Sequence, residues 1–288
     1  MRYREFGWKT RGGKRVFACE WLPDGDPVRA VVVIVHGMGE HTGRYRHVAE
    51  MLTEEGYAVL AFDQLGHGRT EGKRGHARSY EDLLYGIDRL REEAAERFPG
   101  KPVFLYGHSM GGNLVLNYLL RRKADLAGAI VSSPWLKLSF PPPSWKTALA
   151  KFLQHVWPSY TERHIFLPTQ LTSDPEMCRL IIEDPLGHGF ISAKYFLEVH
   201  RAGKYALEHA ADLSVPVLLM HGDDDSVTLT AASRLFAERA GSFCTYREWP
   251  GFRHELHNES GREEVFRTVR EWIKEVVAKV MEGPNHFH

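Results

Sequence analysis

The sequence predicts an α/β protein: a mostly parallel central sheet flanked by helices, with one helical segment inserted between core strands. Three observations carry this. Short, continuous apolar runs recur along the 288 residues, they alternate with longer stretches of helical periodicity, and one long stretch, 138–210, lacks a buried strand pattern.

Taken in chain order, Tyr3 to Leu22 alternates around Gly12-Gly13-Lys14 and predicts an antiparallel hairpin. Ala30 to Val35 is a β-branched run of the kind buried on both faces of a parallel sheet. Tyr57 to Phe62, Val103 to Tyr106, Ala127 to Val131 and Val215 to Met220 repeat it. Between them, Leu83, Leu84, Ile87 and Leu90 mark one helix, and Val265, Phe266, Val269, Trp272, Ile273 and Val276 mark the C-terminal one. Strands alternating with helices imply right-handed crossovers. After Pro141-Pro142-Pro143, the positions Trp145, Ala148, Leu149, Phe152, Leu153 and Val156 share one helical face opposite Lys146, Lys151 and His155. A second helical pattern runs from Ala193 to His209. The expected organisation is a core of 1–137 and 211–288 with a helical lid at 138–210. The first lid helix either packs its apolar face on the core or turns part of it to lipid or an acyl chain.

Composition excludes several classes. With 43% hydrophobic and 26% charged residues the chain can bury a full core, and 37 basic against 37 acidic side chains leave no field for nucleic acid. Cys19, Cys178 and Cys244 are far apart and form no CxxC pair, so a reducing compartment and no disulfide framework are expected. The opening Met1-Arg2-Tyr3-Arg4-Glu5 lacks the apolar stretch expected of a signal peptide, and no apolar run approaches the ~18 residues of a membrane span. The expectation is a soluble, cytoplasmic protein, with 283–288 a frayed terminus rather than a metal site.

Gly107-His108-Ser109-Met110-Gly111-Gly112 follows one apolar run and opens a helical pattern. That is the strand, sharp turn and helix of a nucleophile elbow, which exposes a serine hydroxyl at a helix N-terminus. A tetrahedral intermediate needs two preorganised N–H donors. Met110 supplies one, and the turn His36-Gly37-Met38-Gly39-Glu40-His41 after Val35 supplies the other from Met38. Serine also needs a base and an orienting acid, in the chain order Ser, acid, His. His221-Gly222-Asp223-Asp224-Asp225, after a strand, offers three candidate acids whose spacing does not separate them. The base is read as His254, with His257 its competitor; His-Glu-Leu-His there is not an H-E-x-x-H zinc motif. His67 is read as fixing a turn, and His41, His47 and His76 as surface or supporting residues.

Together these motifs resemble the monoacylglycerol lipases and lysophospholipase-like hydrolases of the α/β-hydrolase superfamily. The shared set adds Arg44-Tyr45, Asp63 with Gly66-His67-Gly68, and Asp184-Pro185-Leu186. The resemblance implies that Asp225 is the orienting acid, that 138–210 is a mobile cap over an acyl tunnel, and that Arg44 and His108 lie near a glycerol head group. It implies cleavage of monoacylglycerols to fatty acid and glycerol through an acyl-enzyme, without cofactor or metal, with transient membrane or micelle contact through the cap. A lysophospholipase or a medium-chain carboxylesterase is the alternative. Where some members carry a polar head-group residue in the cap, this chain has Leu180-Ile181-Ile182.

Overall fold

The computed structural model describes residues 1–25, 27–140 and 142–282, so Asp26, Pro141 and the 283–288 terminus lie outside the described residues. The elements are β1 (Arg2–Lys9), β2 (Arg15–Leu22), β3 (Ala30–Val35), α1 (Arg46–Glu54), β4 (Tyr57–Phe62), α2 (Tyr80–Arg97), β5 (Val103–His108), α3 (Met110–Arg121) and β6 (Gly128–Ser132). Then come α4 (Ser144–Val156), β7 (Thr161–Arg163), α5 (Pro168–Leu171), α6 (Pro175–Glu183), β8 (Phe190–Ser192), α7 (Ala193–Glu208), β9 (Val217–Gly222), α8 (Thr230–Ala240), β10 (Cys244–Trp249) and α9 (Arg262–Glu282).

Eight strands form one sheet in the order β1-β2-β4-β3-β5-β6-β9-β10. The hairpin pairs antiparallel, as does β2 with β4, and every pair from β4 to β10 is parallel. All six residues of β3 and all six of β4 are buried, as expected of strands covered by helices on both faces. The chain leaves β3 for β4 on one side and returns to β5 on the other. The carboxyl ends of β3 and β5 therefore flank the point where the strand order reverses, where open α/β sheets hold their ligands.

The segment between β6 and β9 is not purely helical. The three-residue strands β7 and β8 pair antiparallel, too short to leave a periodic signal in the sequence. The segment packs in two ways. Helix α7 buries Tyr195, Leu197, Val199, Ala202, Gly203 and Ala206 against α3 and its surroundings. Asn113 Nδ2 donates to Val199 O at 3.1 Å and Asn117 Nδ2 to Ala202 O at 3.0 Å. Helices α4, α5 and α6 bury no residue. The chain returning from α6 to α7 lies on the core: His188 N donates to Gly39 O at 3.0 Å, and Ser192 N to Gly75 O at 2.8 Å. Gly39 and Gly75 have positive φ, and a Cβ on them would stand 2.1 Å from His188 O and 1.9 Å from Phe190 O. No described helix is long and apolar enough to cross a membrane.

Candidate active site

Ser109 joins β5 to α3 with φ 53° and ψ −116°, a strained conformation for a residue with a side chain. The turn is this tight because strand and helix nearly touch. A Cβ on Gly111 would lie 1.9 Å from Val35 O, and one on Gly107 would lie 2.6 Å from Gly111 O. Backbone bonds lock the turn: Ser109 N donates to Ser132 O, while Asn113 N and Trp135 N donate to Ser109 O. The Ser109 side chain stands at the carboxyl end of the sheet and lines a cavity.

His254, in the loop after β10, places Nε2 2.9 Å from Ser109 Oγ, and its Nδ1 is 2.7 Å from Asp225 Oδ2. The three residues left open by spacing are thus separated by geometry. Asp225 accepts from Val227 N and Thr228 N through Oδ1 and from Thr228 Oγ1 through Oδ2. Asp223 instead accepts from Gly251 N, and Asp224 is exposed near Arg253. Burial alone would raise the Asp225 carboxyl, but His254 and His221 hold it well below the usual carboxylate range. Burial likewise opposes charging of His254, and Asp225 outweighs it, so the imidazole is raised above its ordinary value.

Sequence reading missed His221 as a partner of this acid. Its Nε2 lies 3.0 Å from Asp225 Oδ2 and its Nδ1 2.8 Å from Ser233 Oγ. The available signal was a histidine inside a buried strand four residues before the acid. His257, the competitor base, is turned away: it stacks on Tyr45 and His47, and burial holds its ring well below the usual histidine value.

Met38 lines the cavity beside Ser109. Its loop is held by Gly37 N donating to Glu40 Oε2 at 3.0 Å, by His36 Nδ1 donating to Gly37 O at 2.8 Å, and by His188 N on Gly39 O. Met110 is the first residue of α3, so its N–H has no carbonyl within the helix to bond. His67 rests its ring against Met38 Sδ at 3.3 Å.

On the polar side of the cavity, Arg44 Nε donates to Asp184 Oδ2 at 2.9 Å and Arg44 Nη1 lies 3.8 Å from Glu255 Oε1. His41 Nε2 lies 3.1 Å from both Asp184 oxygens. His108 is wholly buried, its ring packed on His254, and burial followed by that neighbour pushes it down to about 3. The cavity, about 960 Å³, runs from Ser109 past Met38 and Phe140 to Trp145, Leu149 and Leu153 of α4 and Ile181 and Ile182 of α6. His47 and His76 support packing, bonding His257 O and Ser192 Oγ.

A family profile described as serine aminopeptidase, S33, matches residues 26–261. A monoacylglycerol lipase of Mycolicibacterium smegmatis is 34% identical over 91% of this chain and 94% of its own length. An abhydrolase domain-containing protein of Dictyostelium discoideum is 37% identical over 88% of this chain, which spans 27% of that longer relative. Among solved structures, a monoacylglycerol lipase of Paleococcus ferrophilus superposes with a TM-score of 0.80 at 35% identity, covering 96% of this chain and 99% of that one.

Proposed function

The chain belongs to the serine aminopeptidase S33 family of α/β-hydrolase-fold serine hydrolases, and we propose that within it this protein cleaves monoacylglycerols to fatty acid and glycerol. The observation that carries this reading is the junction at Ser109. A serine bonded to a histidine–aspartate pair opens into a cavity that is apolar toward α4 and α6 and polar toward Arg44.

In this scheme His254 Nε2 removes the Ser109 proton as Oγ attacks the ester carbonyl, and Asp225 stabilises the imidazolium. The Met38 and Met110 amides receive the oxyanion. His254 then protonates the departing glycerol oxygen, with Arg44 and His108 beside the head group. Water, activated by the same histidine, frees the fatty acid from Ser109. No step calls for a cofactor or a metal.

The core of 1–137 and 211–288 carries the chemistry, and the cap at 138–210 encloses the acyl chain. Trp145, Phe152, Val156, Trp157, Ile165 and Leu167 are exposed on that cap. Exposed apolar side chains on the cap suit transient contact of a cytoplasmic enzyme with micelles or membranes. A peptidase reading would need an acidic amine-binding site in the cap, with Glu176 and Glu183 the candidates. Glu176 and Glu183 instead pair with Arg179 on the exposed side of α6.

The test compares a monoacylglycerol with a lysophospholipid of the same acyl chain, using the wild type and Ser109→Ala. The expected result is faster turnover of the monoacylglycerol and its loss in S109A. Faster turnover of the lysophospholipid overturns the head-group assignment, and retained S109A activity overturns the nucleophile.

A further inference from the structure

His221, in β9, ends a buried chain of contacts that starts at Ser109. Ser109 Oγ lies 2.9 Å from His254 Nε2, and His254 Nδ1 lies 2.7 Å from Asp225 Oδ2. The same carboxylate oxygen lies 3.0 Å from His221 Nε2, so it serves two imidazoles. The His221 side chain is wholly buried, and its Nδ1 is 2.8 Å from Ser233 Oγ of α8. With Ser233 donating to Nδ1, the tautomer that carries its proton on Nε2 satisfies both neighbours. The next acceptor within reach of Nε2, Thr228 O, is 3.3 Å away.

Asp225 has more donors than it can serve at once. Its Oδ1 accepts from Val227 N and Thr228 N, while His254 Nδ1, His221 Nε2 and Thr228 Oγ1 converge on Oδ2. These five donors meet about four lone-pair sites. Thr228 can withdraw, because Ser133 O lies 3.2 Å from its hydroxyl. His221 is held in place by Ser233 and keeps its share. The amides thus fix one oxygen and His221 the other, so the carboxylate cannot rotate away from His254. Each hydrogen bond to the ionised carboxyl also spreads its charge, which leaves less to stabilise an imidazolium at His254.

We propose that His221 is a positioning residue for hydrolysis: it holds Asp225 Oδ2 in line with His254 and, by sharing that oxygen, lets the base work at lower pH than an unshared acid would allow. This role rests on the Ser109–His254–Asp225 scheme proposed above. Besides Asp225, the titratable groups facing His254 are Glu40 from the loop after β3, His108 of β5, and Glu255 and His257 of its own loop. Facing His221 is Glu248, its register partner on β10, whose carboxylate is engaged by Arg234 and Tyr246. All of these stay in place when His221 alone is replaced.

The test measures kcat/KM against pH for a soluble p-nitrophenyl ester with the wild type, His221→Phe and His221→Gln. Phenylalanine fills the buried space without a donor, whereas glutamine keeps a donor for Asp225 and an acceptor for Ser233. In H221F the undivided Asp225 charge favours the imidazolium of His254, and the base must be neutral to act. The acid limb should therefore move up by about 0.5–1 pH unit, with kcat on the plateau lowered several-fold. In H221Q the limb should return toward its wild-type position. A merely structural role would lower the plateau and leave the limb where it is. If H221F does not fold, His221→Met, which also fills the space without a donor, replaces it under the same criterion.

The far-downfield NMR signal of the proton between His254 and Asp225 supplies the same titration in the resting protein, without turnover. It should titrate at higher pH in H221F than in the wild type. An acid limb that stays in place or moves down in H221F overturns the proposal, and so does an H221Q limb that coincides with that of H221F. Loss of the monoacylglycerol reading leaves these measurements intact, because the test ester carries no glycerol. Activity retained in Ser109→Ala overturns the scheme itself, and the proposed role in hydrolysis with it.

Discussion

Helices α4 and α7 belong to the same insertion and share one signature, apolar residues at helical spacing, yet they meet opposite fates. Helix α7 buries six residues and is bonded to α3 through Asn113 and Asn117, whereas α4 buries none. The difference lies in side-chain size. Ala202, Gly203 and Ala206 let α7 approach the core until a Cβ on Gly203 would stand 2.4 Å from Leu136 O. On α4, Trp145 and Phe152 are too bulky for such approach and stay 63% and 62% exposed among the described residues. Amphipathic periodicity therefore reports that a helix has an apolar face, while the small residues report that the face is pressed against the core.

This contrast divides the insertion into a half fixed to the core and an outer half that, in the proposed function, governs access, and each half can be broken separately. Ser109→Ala should lower kcat by about 10⁶-fold while leaving the proposed micelle contact of α4 unchanged, as stopped assays and flotation would show. Asp225→Asn should cost about 10⁴-fold by leaving His254 in the wrong tautomer. On the fixed half, Gly203→Val should lower stability by about 3 kcal/mol in denaturant titration, because the new side chain must displace the Leu136 carbonyl. On the outer half, Phe152→Ser combined with Trp157→Ser should change stability by less than about 0.5 kcal/mol. That pair should spare the soluble ester and slow turnover of a micellar one several-fold. If the double variant unfolds more readily than G203V, the division fails.

The smallest effect is on pH. His254 must be neutral to act as base, and Asp225 raises its pKa, so the acid limb of kcat/KM should lie above the ordinary histidine value of about 6.5. Measured on the residual activity of D225N, that limb should move down. A limb that stays in place would separate the pair from the pH response.

Local features were legible in the sequence. Strands β3 and β4 fall on the residues their apolar runs mark, because strands covered on both faces need apolar side chains at every position. The turn at Ser109 was legible because glycines are required wherever β3, β5 and α3 touch. Long-range partners were not. His221 and Thr228 around Asp225, and Asp184 on Arg44 and His41, depend on which loops meet at the sheet's carboxyl edge. Helix α1 and the ribbon of β7 and β8 also escaped, the first because its buried face, Val48, Ala49, Met51 and Leu52, spans only nine residues and the second because three residues carry no period.

Gly39 and Gly75 give the returning segment a further meaning. Both glycines belong to the core, yet their bareness is shaped to carbonyls of His188 and Phe190 from the insertion. A cap transplanted from another hydrolase would bring new helices without that complementary backbone, leaving two unfilled hollows and the Gly39 and Gly75 carbonyls unmatched. Grafting should therefore succeed only when the donor segment is spliced outside 184–192, so that the recipient keeps its own return path and exchanges the helices above it.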